Sequence, residues 1–400
     1  MKILAYKRHD GTVGIRNRIL ILPTSVCASD VARIVADRVE GLVSFHNQLG
    51  CSQTPDDQKC TINVMAGMAA NPNVYGTIAI SLGCENCKME LVADAIRKKT
   101  SKPLIEFVIQ NCGGVIPTID LATKAAIKMI LEASQQERTE VDISDLIIGT
   151  ECGGSDATSG LAANPLVGRI CDKIVAEGGT AILSETTEFI GAENILAKRA
   201  VNVELSNKII EIVDNYELPM KQFGDDVRNR NPSPGNIKGG ITTLEEKSLG
   251  CIYKSGTTTI NNVYDYGEEI KDKGLVIMDT PGNDPISVTG MVAGGCQLVL
   301  FTTGRGTPTG NPIVPVIKIT ANSETYNQMN DCIDFNASEI INDFSRIEEV
   351  SNVLFEEIIS VSNGKLTKAE KLSCNEIAIA RVGHYLSRDN NTIKVKKYYF

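Results

Sequence analysis

The chain has 400 residues, 42% hydrophobic and 22% charged, with a formal net charge of −9 and a sequence pI near 5.1. That is the profile of a water-borne globular protein long enough for two domains, and neither the acidic balance nor any basic stripe with interleaved aromatics supports a nucleic-acid or anionic-membrane partner. "MKILAYKRHDGTVG" is charged too soon for a secretory signal, and no apolar run approaches the ~18 residues of a membrane span; a cytoplasmic location is expected, where the 12 cysteines serve as reduced thiols.

Short apolar runs alternate with helix-length segments. "RILILPT" (18–24) predicts a strand and 29–39 a helix capped by Ser29 or Asp30. Strands are expected next at "GLVSFH" (41–46), "YGTIAISLG" (75–83), "PLIEFVI" (103–109) and "DLIIGT" (145–150), with helices over 88–99 and 117–134. "TAILSE" (180–185), "GLVIMDT" (274–280), "QLVLFTT" (297–303) and "VPVIKIT" (314–320) continue the series. Runs apolar on both pleat faces suit parallel strands covered by helices. The fold class is therefore α/β, with two domains of mainly parallel, helix-covered sheets, Rossmann- or flavodoxin-like in part. The polar stretch "SQQERTEVD" places the boundary near 140, giving domains 1–140 and 141–400. The Pro, Gly and Asn content of "DDVRNRNPSPGNIKGG" predicts a long irregular loop at 225–240.

In parallel α/β sheets ligands bind beyond the carboxyl ends of strands, and polar clusters recur there. "HNQLGC" supplies His46 and Cys51, "CENC" supplies Cys84, Glu85 and Cys87, "NCGG" supplies Cys112, and "ECGGSD" supplies Glu151, Cys152, Ser155 and Asp156. "AILSE" ends in Glu185, with Glu188 and Glu193 downstream. The CxxC of Cys84 and Cys87 lacks the second pair that a zinc ribbon or iron–sulfur cluster needs. His46, one of three histidines, reads equally as a satisfied strand-end residue or, beside Cys51, as a ligand. Cys152 is expected at a helix N-terminus, which would favour the thiolate. Cys27, Cys171, Cys251, Cys296, Cys332 and Cys374 read as core thiols. "GGCQLVLFTTGRGTPTG" (294–310) fits neither a P-loop nor a dinucleotide fingerprint, yet Arg305 between two glycines suits a bidentate carboxylate clamp. Arg16 and Asn17 in "DGTVGIRN", and Lys247 and Lys254 in "LEEKSLGCIYKSG", read either as further charged or polar site groups or as solvated surface side chains.

Several of these segments together resemble the altronate and galactarate dehydratases of sugar-acid metabolism. The matching stretches are "RHDGTVGIRN", "HNQLGC", "SLGCE", "ECGGSDATSGLAANPLVG", "GGTAILSETTEFIGAE", "NPSPGNIKGGITTLEEKSLG", "FTTGRGTPTG" and "PVIKIT", with "DFNAS" extending the likeness. "NCGG" in place of an acid-containing segment, the extra Cys87, and the C-terminal "NNTIKVKKYYF" depart from the pattern. The resemblance implies a metal-dependent hydro-lyase converting a sugar acid such as altronate or galactarate to a 2-keto-3-deoxy acid. The metal it implies is a divalent ion, Fe(II) by usual assignment with Mn or Mg as alternatives, and no iron–sulfur cluster. Larger members carry a small domain ahead of the matched region, so a separate small SAF-like subunit is the expected partner, within a homo-oligomer. The large subunit of a two-component (2R)-sulfolactate sulfo-lyase is the first alternative, and a non-catalytic sugar-acid-binding protein the second.

The expected site follows from the clusters and the resemblance together. His46, Cys51, Cys152 and Glu188 are the candidate metal ligands, and His46, Glu151, Asp156, Glu185 and Lys254 the candidate acid–base groups. Arg16, Asn17, Gly153, Gly154, Ser155, Asn164 and Arg305 are expected to hold the substrate. Glycine at 153 and 154 would let backbone approach an anion.

Overall fold

Runs that are apolar on both faces need cover on both sides, and the computed structural model, which describes residues 1–389 and 392–400, provides it with helices. β1 (Lys2–Lys7) and β2 (Val13–Gly14) open the chain. β3 (Arg18–Pro23), β4 (Leu42–Ser44), β5 (Val74–Ser81) and β6 (Leu104–Val108) form a parallel sheet in the order β4-β3-β5-β6. β7 (Thr139–Asp142) returns to pair antiparallel with β1, whose other edge takes β2.

A larger parallel sheet follows, built from β8 (Ile147–Cys152), β9 (Thr180–Leu183), β10 (Ile260–Tyr264), β11 (Gly274–Met278), β12 (Leu298–Thr302), β13 (Val316–Thr320) and β14 (Phe335–Asn336). Its order is β10-β11-β9-β8-β12-β13-β14, with every pairing parallel. β15 (Val382–Asp389) and β16 (Thr392–Tyr399) make an antiparallel hairpin. No helix among the described residues is long and apolar enough to cross a membrane.

The two parallel sheets share one core. Leu20, Val43 and Met65 from the first region pack in the same apolar cluster as Ile182, Val276 and Phe301 from the second. The helix Pro55–Ala70 lies against the helix Asp284–Ala293, so closely that a Cβ on Gly67 would stand 2.3 Å from the Ala293 carbonyl oxygen. Asn71 donates both amide protons across the junction, to the carbonyls of Val292 and Cys296 at 2.8 Å each. Asn73 likewise donates to the Gln297 carbonyl at 2.9 Å and accepts from the Ile15 amide at 2.8 Å.

Each predicted apolar run is a strand, but several other expectations need correction. The first helix spans Val26–Asp37 with Ser25 as its N-cap. Ser29 lies inside it because its hydroxyl is taken up by Asn47, donating to that carbonyl at 3.1 Å and accepting from that amide at 3.0 Å. The segment 225–240 is not wholly irregular: it holds the one-turn helices Val227–Arg230 and Pro234–Lys238. Side-chain caps from Asp226 and Ser233 offset the poor helix propensity there. Cys27 is exposed and Cys374 half-buried, so neither is a core thiol.

Arg16 and Asn17 are tied into the fold rather than offered to a ligand. Arg16 is buried, and all five of its N–H groups are engaged: two on the Glu370 carboxylate at 2.7 and 2.8 Å, and three on the carbonyls of Ile15, Val361 and Lys365. Burial alone would raise the Glu370 carboxyl, but the Arg16 bonds and charge hold it below its ordinary value. Asn17 accepts from Arg8 at 2.7 Å and donates to the Ala133 carbonyl at 3.0 Å. Removing one member of a buried pair leaves the other charge uncompensated. Arg16→Ala is therefore expected to cost about 3 kcal/mol of stability, read from the urea midpoint at constant slope.

Candidate metal and active site

The carboxyl edge of the larger sheet carries the chemistry. β8 connects toward β9 on one side and β12 toward β13 on the other, so a topological switch point lies between β8 and β12, where ligands bind in open α/β sheets. Register sets Glu151 beside Phe301 and Cys152 beside Thr302. Beyond them run Gly153–Gly154 on one strand and Gly304–Arg305 on the other, joined by the Gly153 amide on the Thr302 carbonyl and the Arg305 amide on the Gly154 carbonyl. Close approach explains two of the glycines. A Cβ on Gly153 would stand 2.2 Å from Asp284 Oδ2, and one on Gly304 would stand 2.1 Å from Asp156 Cγ.

Three carboxylates converge here. Oxygens of Glu151, Glu185 and Asp284 lie within 4.8 Å of one another; Cys152, Glu185 and Glu188 form a second such group among the described residues. Glu151 is the penultimate residue of β8 and is fully buried; its Oε2 accepts from Ser287 at 2.7 Å and Ser184 at 3.1 Å. Glu185 stands just past β9 in a left-handed conformation (φ 64°), a strained backbone for a residue with a long side chain. Its Oε2 accepts from Lys254 Nζ at 2.5 Å and from the Cys152 amide at 2.9 Å. Oε1 of Glu151 and Oε1 of Glu185 are buried with no protein partner. Asp284 opens the helix Asp284–Ala293, half-buried on the solvent side.

The electrostatics follow from this crowding. Burial raises the Glu151 carboxyl well above its ordinary range, and the charges of Glu185 and Asp284 add to the shift. Asp284 is pushed to about 7 by burial and then by Glu185 and Glu188. Glu188 is raised by burial, against the pull of Lys247, whose ammonium is 2.6 Å away. Lys254 is fully buried; burial alone would lower it, but the acidic groups around it, with the Glu185 carboxylate 2.5 Å from its Nζ, hold it above its ordinary value, so it is an ammonium.

The expected thiolate at Cys152 is overturned. A hydrogen bond with Cys251, then burial, then the charge of Glu185 raise its pKa well above the usual value. The physical reason is position: Cys152 ends a strand, and the helical run begins only at residue 157.

The other expected residues divide by place. Cys152, Ser155, Asp156, Asn164, Glu188 and Lys247 line one narrow cleft. Within it Asp156 is a helix cap: Oδ1 accepts from Thr158 Oγ1, the Ser159 amide and Ser159 Oγ at 2.7, 3.0 and 3.1 Å, and Oδ2 from Asn322 at 2.9 Å. Three of these bonds converge on one oxygen and hold the carboxylate over the start of the helical run. The Asn164 amide is also spent, donating to the Gly250 carbonyl and accepting from Thr302. Arg305 is exposed at the rim with one long side-chain bond, 3.2 Å to the Gly235 carbonyl.

His46 and Cys51 do not join either donor group; both are exposed beyond β4 of the smaller sheet. There the equivalent switch point, between β3 and β5, is closed by buried Glu85, which accepts from Thr24 at 2.7 Å and from the Leu82 and Gly83 amides. Sequence reasoning missed Asp284, Ser184, Thr280 and Ser287, and took Cys251 for core packing. Only Asp284 had a signal: "GNDP" after the strand 274–278 is a strand-end acid beside an Asn cap.

The chain was also compared with known proteins. A family domain described as D-galactarate dehydratase/altronate hydrolase, second domain, matches residues 5–134, and one described as D-galactarate/altronate dehydratase, C-terminal, matches residues 143–385. The chain is 37% identical to altronate dehydratase of Bacillus subtilis, over 94% of this chain and 77% of the relative. It is 34% identical to altronate dehydratase of Escherichia coli, over 96% and 78%. It is 35% identical to (2R)-sulfolactate sulfo-lyase subunit beta of Chromohalobacter salexigens, over 95% and 97%.

The raised Asp284 carboxyl makes a pH prediction. Between its ordinary 3.8 and about 7, the unfolded chain has released a proton that the folded chain keeps, so folding weakens as pH rises through that window. Asp284→Asn removes this term. In chelator, the variant is expected to gain stability relative to the parent as pH climbs from about 4 to about 7, measured as the difference in urea midpoints.

Proposed function

The chain belongs to the D-galactarate/altronate dehydratase family, and from that premise we propose that it is a metal-dependent hydro-lyase. It takes water from a sugar acid such as altronate or galactarate and leaves a 2-keto-3-deoxy acid. The observation that carries the metal part is the grouping of Glu151, Glu185 and Asp284 carboxylates, two of which each keep a buried, unpartnered oxygen. One buried ammonium cannot neutralise three carboxylates at such separations. Glu151, Glu185 and Asp284 would hold the cation in preference to the thiol-containing group, because the Cys152 thiol is hydrogen-bonded with Cys251 and Glu188 is ion-paired with Lys247. An all-oxygen set suits a hard divalent ion, with Fe(II), Mn or Mg as the candidates. This choice replaces His46 and Cys51 as ligands.

Dehydration starts with loss of the weakly acidic proton α to a carboxylate. A divalent ion bound here would draw charge from the substrate's carboxylate and 2-hydroxyl as that proton leaves. Glu188, on the cleft with its pKa raised by burial, suits the general base. Lys247 beside it can return a proton to the departing 3-hydroxyl, which leaves as water; the enol then becomes the ketone. Lys254 fixes Glu185 and adds fixed positive charge where the enolate forms. Arg305, with its guanidinium largely unengaged at the rim, suits the substrate's carboxylate.

A second reading has one observation in its favour. The chain is 35% identical, over 95% of its length, to a relative named (2R)-sulfolactate sulfo-lyase subunit beta. In that reading it is the large subunit of a two-component lyase with a small partner, expelling bisulfite from (2R)-sulfolactate by the same elimination.

Anaerobic assays with Fe(II) or Mn(II) over altronate, galactarate and (2R)-sulfolactate separate the two. A 2-keto acid from a sugar acid is the expected result; bisulfite from sulfolactate alone moves the assignment to the second reading, and full turnover in chelator removes the metal. Glu188→Gln is expected to lower kcat by about 10²–10⁴-fold with metal content retained. Glu151→Gln is expected to lose bound metal, measured by elemental analysis of the purified protein.

A further inference from the structure

Glu151 and Glu185 stand on different strands, and two buried hydroxyls connect them. The Glu185 amide donates to Thr280 Oγ1 at 2.7 Å, Thr280 donates to Ser287 Oγ at 2.9 Å, and Ser287 donates to Glu151 Oε2 at 2.7 Å. Thr280, Ser287, Glu151 and Glu185 are all fully buried, so water cannot substitute for any member. Each hydroxyl has one proton. Thr280 receives the amide proton, so its own must point to Ser287, and that of Ser287 must point to Glu151. The chain has a single direction. It engages Glu151 Oε2 as an acceptor and leaves Oε1 as the oxygen without a partner, on a carboxylate grouped with those of Glu185 and Asp284.

Thr280 also grips the far side of the same turn. Its carbonyl accepts from the Thr186 amide at 2.9 Å, while Thr186 Oγ1 donates to Asp279 Oδ1 at 2.7 Å. The left-handed Glu185 is thereby held at both of its flanking peptide groups by residues just past β11, and a strained conformation persists only where its surroundings over-determine it.

We infer that Thr280 and Ser287 are positioning residues for the reaction: a one-way hydroxyl relay that fixes the Glu185 turn and the Glu151 carboxylate in one mutual geometry. Neither touches the reacting groups. The inference rests on the dehydratase reading for its catalytic meaning, but the relay itself can be tested without turnover.

The test uses the full chain as Ser287→Ala, Thr280→Val and Thr280→Ser. Hydrogen exchange of the peptide containing Glu185 is measured without metal, Mn²⁺ affinity by calorimetry, and kcat and KM on the sugar acid that the parent uses. Ser287→Ala removes a hydroxyl that does not touch the Glu185 amide, yet the relay requires that amide to exchange faster, by about tenfold or more. Mn²⁺ affinity and kcat are expected to fall about 10–100-fold, the range for partners that orient metal ligands, with KM nearly unchanged. Thr280→Val should behave likewise, and Thr280→Ser, which keeps the hydroxyl, should return all three readouts toward the parent. Parent-like exchange at Glu185 in Ser287→Ala overturns the relay, as does a Thr280→Ser variant as impaired as Thr280→Val. A parent protein that binds no Mn²⁺ and dehydrates nothing would sink the dehydratase reading alone, leaving the exchange comparison to decide the relay.

Discussion

Charge crowding at the carboxyl edge of the larger sheet is the constraint from which the rest of the site follows. Two unit charges 4 Å apart repel by about 4 kcal/mol at an effective dielectric near 20, and here three carboxylates share one buried ammonium. Such an arrangement is tolerable only if protons or a cation take up the excess and if the side chains cannot swing apart. Packing supplies the second condition. Gly153 leaves room for the Asp284 carboxylate, the hydroxyls of Ser184 and Ser287 hold one oxygen of Glu151, and a left-handed turn sets the Glu185 backbone. The acids therefore sit where chemistry, rather than stability, places them.

Much of this was legible in the amino-acid order. Parallel strands buried on both faces announce themselves as unbroken apolar runs, and each run from 18–24 to 314–320 is a strand. The rule that ligands gather past strand ends drew attention to Glu151, Cys152, Glu185 and Glu188, which the structure places in two donor groups that share Glu185. The same rule misled at His46 and Cys51, because it cannot say which of two sheets a strand joins. Arg16 was misread for a different reason: its partner Glu370 lies more than 350 positions away in the chain, and nothing local marks a long-range ion pair. Buried hydroxyls such as Ser287 and Thr280 leave no trace, since an isolated Ser or Thr at the start of a helix reads as an ordinary cap. The helix Pro55–Ala70 was readable from Thr54, Pro55 and Asp57 at its start and was overlooked; the hairpin near the C-terminus gave no recognisable pattern.

The two sheets make an instructive pair. Each has a switch point and each places an acid there, but the acids differ in surroundings. Glu85 meets a full complement of donors from Thr24 and its own loop, which holds its carboxyl below its ordinary value despite burial. Glu151 lacks donors on one oxygen and is raised. A satisfied acid closes a crevice, whereas a starved one leaves it ready for a cation. Hydrogen-bond supply, not the mere presence of a carboxylate at a strand end, separates the two.

The interlock between helices Pro55–Ala70 and Asp284–Ala293, with Asn71 and Asn73 stitched across it, bears on how this polypeptide can be divided. In linear order the two family segments look like modules that could be expressed apart. In space, a cut between them would strip the apolar cover from both sheets at once and leave the paired asparagines facing carbonyls that had gone with the other piece. Neither fragment would keep an intact interior, so a split version of this protein is expected to work only by reassembly of the halves, not by independent folding of each.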